Sequence, residues 1–128
     1  MANQRVISII DDDASVREAT ARLIRSLGYR AAIFSSAEEY LQSERRRDSS
    51  CLITDLNMPG MNGADLQDRL IAEGHRTPMI FMTAYFEEKV RERVLGAGAS
   101  GFLRKPFDEK SLIACLDKAL ESNAGDRG

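Results

Sequence analysis

Five short apolar runs, each followed by a stretch with helical spacing, constrain the fold of this chain more than any other feature. Continuous apolar runs bounded by turn residues are typical of strands buried on both faces of a sheet. Regular alternation of such strands with helices favours a parallel sheet covered on both sides. The sequence therefore predicts one doubly wound α/β domain with five strands, Val6–Ile10, Ala31–Phe34, Cys51–Thr54, Met79–Thr83 and Gly101–Arg104.

Caps and turn residues predict the first helices. An apolar stripe from Val16 to Leu27 indicates a helix that Gly28 ends. The run Ser35–Glu39 has the form of a capping box that begins a short helix. Residues 43–50 contain three consecutive arginines, but flanking acids and serines and the lack of interleaved aromatic residues indicate a solvated connection rather than a nucleic-acid patch.

Three further helices are predicted after the third, fourth and fifth strands. Asn62 is placed to cap the first of them, with Leu66, Leu70 and Ile71 as its buried side. The helix from about Glu87 to Leu95 is poorly amphipathic, so we expect it to be the most labile element. A last helix begins near Asp108, the domain spans residues 1–122, and 123–128 form a flexible tail or the start of a linker.

Composition narrows the classes of function. The chain has 128 residues, about one domain, and its 18 basic and 20 acidic residues give a net charge of −2. This balance gives no electrostatic case for direct binding of nucleic acid. No apolar run is long enough to span a membrane, and we expect no membrane partner and a cytoplasmic location. Cys51 and Cys115 lack metal-site spacing and are expected to be buried thiols.

Polar side chains stand at the carboxyl ends of four predicted strands. Asp11 and Asp12 follow the first strand, Asp55 the third, Thr83 the fourth and Lys105 the fifth. In a sheet of order 2-1-3-4-5 the topological switch point falls between strands one and three, which brings Asp55 beside the acid pair. Taken singly, Asp12 could cap a helix and Lys105 could be a surface charge. Their joint occurrence at strand ends favours a site.

Three neighbouring carboxylates repel one another unless a cation lies among them. Oxygen ligands of this kind suit Mg²⁺, which leaves positions for water and phosphate oxygens. A carboxylate in such a site can attack phosphorus and form an aspartyl phosphate. Thr83 and Lys105 would supply the donor and the cation that a phosphoryl group needs. The predicted chemistry is phosphoryl transfer to Asp55.

The residues at these strand ends resemble the receiver domain of bacterial response regulators, the CheY-like superfamily, over about residues 5–121. The similar stretches, in this order and spacing, are Val6–Asp13, Asp55–Gly63, Met82–Ala84 and Lys105–Phe107. The sequence around Asp55 and Lys105 is similar to that of receivers of the FixJ type, many of which precede a helix-turn-helix domain. The resemblance implies a flavodoxin-like fold and a phosphorelay protein that is not an enzyme beyond its own phosphotransfer and slow autodephosphorylation.

The resemblance also implies roles for individual residues. Asp55 would be the phosphoacceptor, with Mg²⁺ or Mn²⁺ held by Asp12, Asp55 and the backbone carbonyl of Asn57, and with Asp11 assisting through water. Thr83 and Lys105 would contact the phosphoryl group, and the peptide bond between Lys105 and Pro106 would be cis. The phosphoryl donor would be the phosphohistidine of a sensor histidine kinase.

Two positions depart from common patterns of the family or are variable in it. The aromatic switch position is Phe102 rather than Tyr, so a switch that depends on a hydroxyl is excluded there. Tyr85 is followed by Phe86, where many relatives have Gly, which alters the expected shape of that loop. We expect Tyr85 and Asn57 to flank the phosphoryl group and to modulate the access of water.

Phosphorylation is expected to draw Thr83 inward and to let Phe102 fill the vacated space. The weak helix from Glu87 to Leu95 would then shift. The face made by that helix, the fifth strand and the last helix is the predicted surface for a homodimer or for a downstream output domain or protein.

Other readings of the pattern are less well supported. A flavodoxin-like flavin carrier would need a Ser/Thr/Gly-rich phosphate loop where this chain has Asp11, Asp12 and Asp13. The Walker sequence of P-loop nucleotidases is absent. Phosphatases with an aspartate nucleophile usually carry a second Asp where Asn57 stands. A protein-interaction module independent of phosphorylation remains the alternative, although no residue of the predicted site is missing.

Overall fold

A computed structural model describes residues 5–126, with side chains to Glu121. This part of the chain forms one parallel sheet of five strands in the order β2-β1-β3-β4-β5, as the sequence predicts. The strands are β1 Val6–Ile10, β2 Arg30–Phe34, β3 Ser49–Asp55, β4 Met79–Thr83 and β5 Gly101–Arg104. The helices are α1 Ala14–Ser26, α2 Ala37–Leu41, α3 Arg45–Asp48, α4 Gly63–Ala72, α5 Glu88–Gly96 and α6 Glu109–Asp126.

The three central strands are buried on both faces. Every residue of β1 and of β4 is buried, and so are the last five residues of β3. Two apolar clusters cover the sheet, one beneath α1 and α6, and the other beneath α2, α4 and α5. Burial of one aliphatic side chain contributes on the order of 2 kcal/mol. The central strands therefore provide a rigid base for the residues at their carboxyl ends.

Caps fix the starts of the helices close to the predicted positions. The hydroxyl of Ser36 accepts the N–H of Glu39 at 3.0 Å at the start of α2. The side chain of Asn62 accepts the N–H of Asp65 at 2.8 Å at the start of α4. Gly28 lies at a φ of +95°, a conformation that favours glycine just after a helix.

Three local predictions are wrong. β3 begins at Ser49 instead of Cys51, and residues 45–48 of the predicted solvated connection form the short helix α3, which has no buried residue. Ile71 is 50% exposed because α4 turns it away from the sheet, whereas Leu66 and Leu70 are buried as expected. Cys51 is a buried thiol, but Cys115 is only partly buried.

The structure bears on two predictions about the last two helices, the weak burial of α5 and the extent of α6. In α5 only Val94 is buried, which agrees with its weak apolar pattern. In α6 the backbone is helical to Asp126, beyond the predicted domain end at residue 122. Residues 127 and 128 of the predicted tail lie outside the described residues, and the division at 122 stays a prediction.

Among the described residues, no helix has the length and apolar character needed to cross a membrane.

Candidate phosphoacceptor site

The carboxyl ends of β1 and β3 bring three acidic side chains together. Carboxylate oxygens of Asp11, Asp12 and Asp55 lie within 4.8 Å of one another. Asp11 and Asp55 are buried, with exposures of 0% and 5%, while Asp12 is exposed. The cluster forms because β3 lies next to β1 in the sheet. Oxygen donors this close fit a hard divalent cation such as Mg²⁺.

Local hydrogen bonds in the β1–α1 loop assign a different task to each aspartate. Asp13 caps α1, where its Oδ1 accepts the N–H groups of Ser15 and Val16. Asp11 accepts the N–H of Asp13 at 2.9 Å. Since Asp13 caps the helix, the carboxylate of Asp12 is left free of that role. The structure thus excludes the reading of Asp12 as a helix cap.

Asp55 is fixed at the end of β3 by its own loop. The N–H of Asn57 donates to Oδ1 of Asp55 at 3.1 Å, and the N–H of Leu56 donates to the carbonyl of Met82 at 2.8 Å. Gly63 packs beneath this turn, where an added Cβ would lie 2.7 Å from the main-chain oxygen of Asp55. The buried carboxylate therefore keeps one defined orientation.

Lys105 spans the two buried acids. Its Nζ lies 2.9 Å from Oδ2 of Asp11 and 3.2 Å from Oδ2 of Asp55. The peptide bond between Lys105 and Pro106 is cis, as the resemblance implies. Burial opposes the charged form of Lys105, but the hydrogen bond to Asp11 and the charges of both acids outweigh it and raise the pKa of the ammonium. The group remains a cation at neutral pH.

For the carboxyl of Asp55, in contrast to Lys105, burial outweighs the groups that stabilise the charged form. Burial raises its pKa above the ordinary value of 3.8, while the N–H of Asn57 and the charge of Lys105 lower it. The neighbouring charge of Asp11 adds to the rise. Asp55 is therefore a carboxylate with little solvation, close to a fixed cation, which is the setting that a nucleophile needs.

Thr83 lies at the end of β4 with an exposure of 1%. Its hydroxyl donates to the carbonyl of Tyr85 and accepts the N–H of Tyr85, both at 3.0 Å. The hydroxyl is thus bonded to its own loop and not to an acid of the cluster. Tyr85, by contrast, is 74% exposed, so its ring stands in solvent at the edge of the site.

Phe102 on β5 is partly buried and packs against Phe86. The two rings meet edge to face, with centroids 6.0 Å apart. The guanidinium of Arg104 lies 4.6 Å from the centroid of Phe86 on the same surface. Sequence reasoning noted Phe86 only as a departure from a common Gly and did not predict this aromatic and cationic stack. Spacing along β5 places residues 102 and 104 on one face, which is the only signal for it.

Two further contacts with the site were not predicted. The guanidinium of Arg17 donates to the main-chain oxygen of Asp11 at 2.7 Å. Glu38 on α2 accepts the N–H of Met61 at 3.0 Å, in the loop that follows Asp55. The sequence placed Glu38 only in a capping box, and such a local pattern carries no information on a contact with a distant loop.

The fold and this arrangement agree with a known family. Residues 7–117 match the family model described as the response regulator receiver domain, and the chain belongs to this family. It is 38% identical over 118 residues to the response regulator protein TmoT of Ectopseudomonas mendocina, which covers 92% of this chain and 54% of TmoT. This chain therefore spans about half the length of that relative.

Solved structures give the same result. The response regulator StyR is similar with a TM-score of 0.89 and 37% identity, over 97% of this chain and 63% of that one. A crystal structure of FixJ-N is similar with a TM-score of 0.83 and 29% identity, over 93% of this chain and 95% of that one. The predicted resemblance to CheY-like receivers, including those of the FixJ type, is confirmed.

Membership of the family establishes the general class of function. Receiver domains are signalling domains of two-component systems rather than classical enzymes. The family works with histidine kinases and output domains. Receiver domains bind Mg²⁺ at an acidic pocket, and this chain has an acidic cluster of Asp11, Asp12 and Asp55.

Proposed function

We propose that this chain is a phosphorylation-dependent receiver in which Asp55 accepts a phosphoryl group from the phosphohistidine of a sensor histidine kinase. The observation that carries the proposal is the buried Asp55 carboxylate beside the acid pair, with Nζ of Lys105 at 3.2 Å. A carboxylate oxygen forms the new bond to phosphorus, the bond from phosphorus to the donor imidazole breaks, and the imidazole nitrogen takes a proton. Lys105 stays protonated and balances charge on the phosphoryl oxygens.

The acid cluster fits a divalent cation, Mg²⁺ or Mn²⁺. Its donors are carboxylate oxygens. The carboxylate of Asp12 is exposed and is not used as a helix cap, because Asp13 caps α1. Asp12, Asp55 and the carbonyl of Asn57 would hold the ion, with Asp11 acting through water. When bound, the ion supplies positive charge for the phosphoryl oxygens. The roles of all four residues rest on the family resemblance and on this cluster.

The same residues account for a signalling domain with slow turnover. Asn57 stands where a phosphatase would carry a second carboxylic acid, so this position offers no general acid or base for hydrolysis. Asn57 and the exposed Tyr85 flank the site and would modulate the access of water. If they do so, Tyr85→Ala changes the rate of autodephosphorylation. An unchanged rate would remove Tyr85 from this role.

The signal is proposed to leave through Thr83 and Phe102. The Thr83 hydroxyl is bonded to the main chain of Tyr85. A dianionic phosphoryl group would compete for it with a stronger, charge-assisted hydrogen bond. Movement of Thr83 would open space for the Phe102 ring and shift α5, which is anchored by one buried side chain, Val94.

The face formed by α5, β5 and α6 is the proposed contact surface. Its partners would be a second copy of the chain after phosphorylation, or an output domain or protein. Amide chemical shifts on phosphorylation should change between residues 83 and 105. Unchanged shifts there, with an adduct at Asp55, would reject this output surface and leave the phosphoacceptor in place.

Intact mass tests the proposal. The protein is incubated with Mg²⁺ and acetyl phosphate, beside Asp55→Asn and beside a sample with EDTA. The expected result is one phosphoryl adduct on the wild type and none in the other two samples. A folded wild type without an adduct would favour an interaction module that is independent of phosphorylation.

A further inference from the structure

Glu38 connects α2 to the loop that follows the proposed phosphoacceptor. Its Oε2 accepts the N–H of Met61 at 3.0 Å across 23 positions of the chain. The loop of residues 57–62 joins Asp55 to α4, and Asn57 at its start donates its own N–H to Asp55. The carboxylate of Glu38 therefore holds the far side of the same loop whose near side contacts Asp55.

The loop has few other polar restraints. Among the described residues, the bond to Glu38 is the only hydrogen bond that residues 58–61 make. Pro59 and Gly60 are exposed, and Met58 is held by apolar burial alone. Apolar packing is non-directional, whereas a hydrogen bond fixes the orientation of a peptide. Glu38 is thus the group that can define how the middle of this loop sits.

Gly60 lies next to this carboxylate in the loop. Its φ of +77° lies in the region that favours glycine. A Cβ at Gly60 would also lie 2.8 Å from Oε2 of Glu38, closer than such atoms normally approach. The backbone conformation at this position therefore favours glycine, and the peptide passes close to the end of the Glu38 side chain.

The helix that carries Glu38 is firmly seated. Ala37, Tyr40 and Leu41 of α2 are buried, and Ser36 caps the helix. The adjacent Glu39 serves the helix itself, because its Oε1 accepts the N–H of Ser35 at 2.7 Å. Two neighbouring acids on α2 thus have different tasks, Glu39 in the cap and Glu38 on the loop.

We propose that Glu38 is a positioning residue for the phosphoacceptor site, which holds the 57–61 loop so that Asn57 keeps its place beside Asp55 and the cation site. This inference rests on the proposed function. The N–H of Met61 lowers the pKa of Glu38, so at neutral pH the group is a carboxylate whose oxygens are free to accept.

Three variants separate positioning from other effects. Glu38→Ala removes the acceptor while leaving the core intact, because Glu38 is exposed. Glu38→Gln keeps an acceptor oxygen without the charge. Glu39→Ala is the matched control, since it weakens the cap of α2 without touching the loop. Two measurements are made without any phosphodonor, namely hydrogen exchange at the Met61 amide and a Mg²⁺ titration followed by amide shifts at residues 12, 55 and 57.

In Glu38→Ala we expect faster exchange at Met61 and a rise of about 10-fold in the Mg²⁺ concentration at half-saturation, the lower end of the effect for groups that orient metal ligands. Glu38→Gln should restore most of the wild-type midpoint, and Glu39→Ala should leave it unchanged. A Mg²⁺ midpoint of Glu38→Ala equal to that of the wild type overturns the inference. The inference is also overturned if Glu38→Gln has the same Mg²⁺ midpoint as Glu38→Ala, because the effect would then come from charge and not from the hydrogen bond.

The phosphorylation assay distinguishes a failure of the role of Glu38 from a failure of the proposed function. A wild type that takes the adduct, with a Glu38→Ala variant that binds Mg²⁺ equally well, refutes the role of Glu38 alone. A wild type that neither shifts with Mg²⁺ nor takes the adduct refutes the proposed function, and the role of Glu38 falls with it.

Discussion

Replacing Lys105 with methionine removes the cation that lies between two buried carboxylates. Nζ is 2.9 Å from Asp11 and 3.2 Å from Asp55, and each attraction is about 5 kcal/mol at an effective dielectric constant of about 20. Desolvation offsets much of that sum, and removing one partner of a buried pair costs about 3–5 kcal/mol. Since 16% of the Lys105 side chain is exposed, we expect about 3 kcal/mol for Lys105→Met in metal-free buffer.

This loss depends on pH with a definite sign. The cost arises from two buried acids left without a cation, and burial already raises the pKa of Asp55. Losing Lys105 raises the pKa of Asp55 further, so the Asp55 carboxylate is protonated at a higher pH in the variant than in the wild type. The difference in the free energy of unfolding therefore narrows as pH falls from about 7 to about 4. The raised pKa of Lys105 keeps its contribution present up to the ordinary lysine value of 10.5.

Urea unfolding in EDTA measures the difference, with Lys110→Met as a control at an exposed lysine. A loss of about 3 kcal/mol corresponds to a fall of about 12 °C in Tm for a domain of this size. Added Mg²⁺ should recover part of the loss, because a ligand of the native state stabilises that state. A Lys105→Met protein as stable as the control, or a gap that does not narrow in acid, would refute the reasoning.

Three further predictions concern packing around the site. Phe86→Ala removes the edge-to-face partner of Phe102 and should cost on the order of 1 kcal/mol in urea unfolding; no loss would mean that the exposed stack contributes nothing. Gly63→Ala places a Cβ 2.7 Å from the oxygen of Asp55 and should cost about 1–3 kcal/mol by the same measurement, whereas an unchanged midpoint would contradict the close packing. Burial raises the pKa of Cys51 to about 12, so iodoacetamide at about pH 8 should modify it in urea but not in the native protein; equal rates by mass spectrometry would contradict its burial.

The parts of the structure that the sequence predicted well are those that short-range patterns determine. Apolar runs located all five strands, with β1, β4 and β5 at their predicted ends. Because the carboxyl ends of neighbouring parallel strands meet, the approach of Asp55 to Asp11 and Asp12 followed from the positions of β1 and β3 alone. The cap at Asn62 also followed, since capping depends on residues only three positions apart.

What the sequence could not predict depends on contacts between distant residues or on a choice between equivalent local arrangements. The contact of Glu38 with Met61 crosses 23 positions and leaves no periodic pattern. The Thr83 hydroxyl can bond to its own loop or to the site, and composition does not distinguish these orientations. Helical spacing placed Ile71 on the buried side of α4, but spacing does not fix the rotation of the helix on the sheet, which decides the exposure of Ile71.

The central claim is that Asp55 carries the phosphoryl group. Borohydride reduces an acyl phosphate to an alcohol, so treatment after incubation with Mg²⁺ and acetyl phosphate marks the modified carboxyl, which peptide mass spectrometry then locates. The predicted result is homoserine in place of Asp55 and unmodified peptides at Asp11 and Asp12. Reduction at Asp11 or Asp12, or at no acid of the cluster in a folded protein, would contradict the assignment.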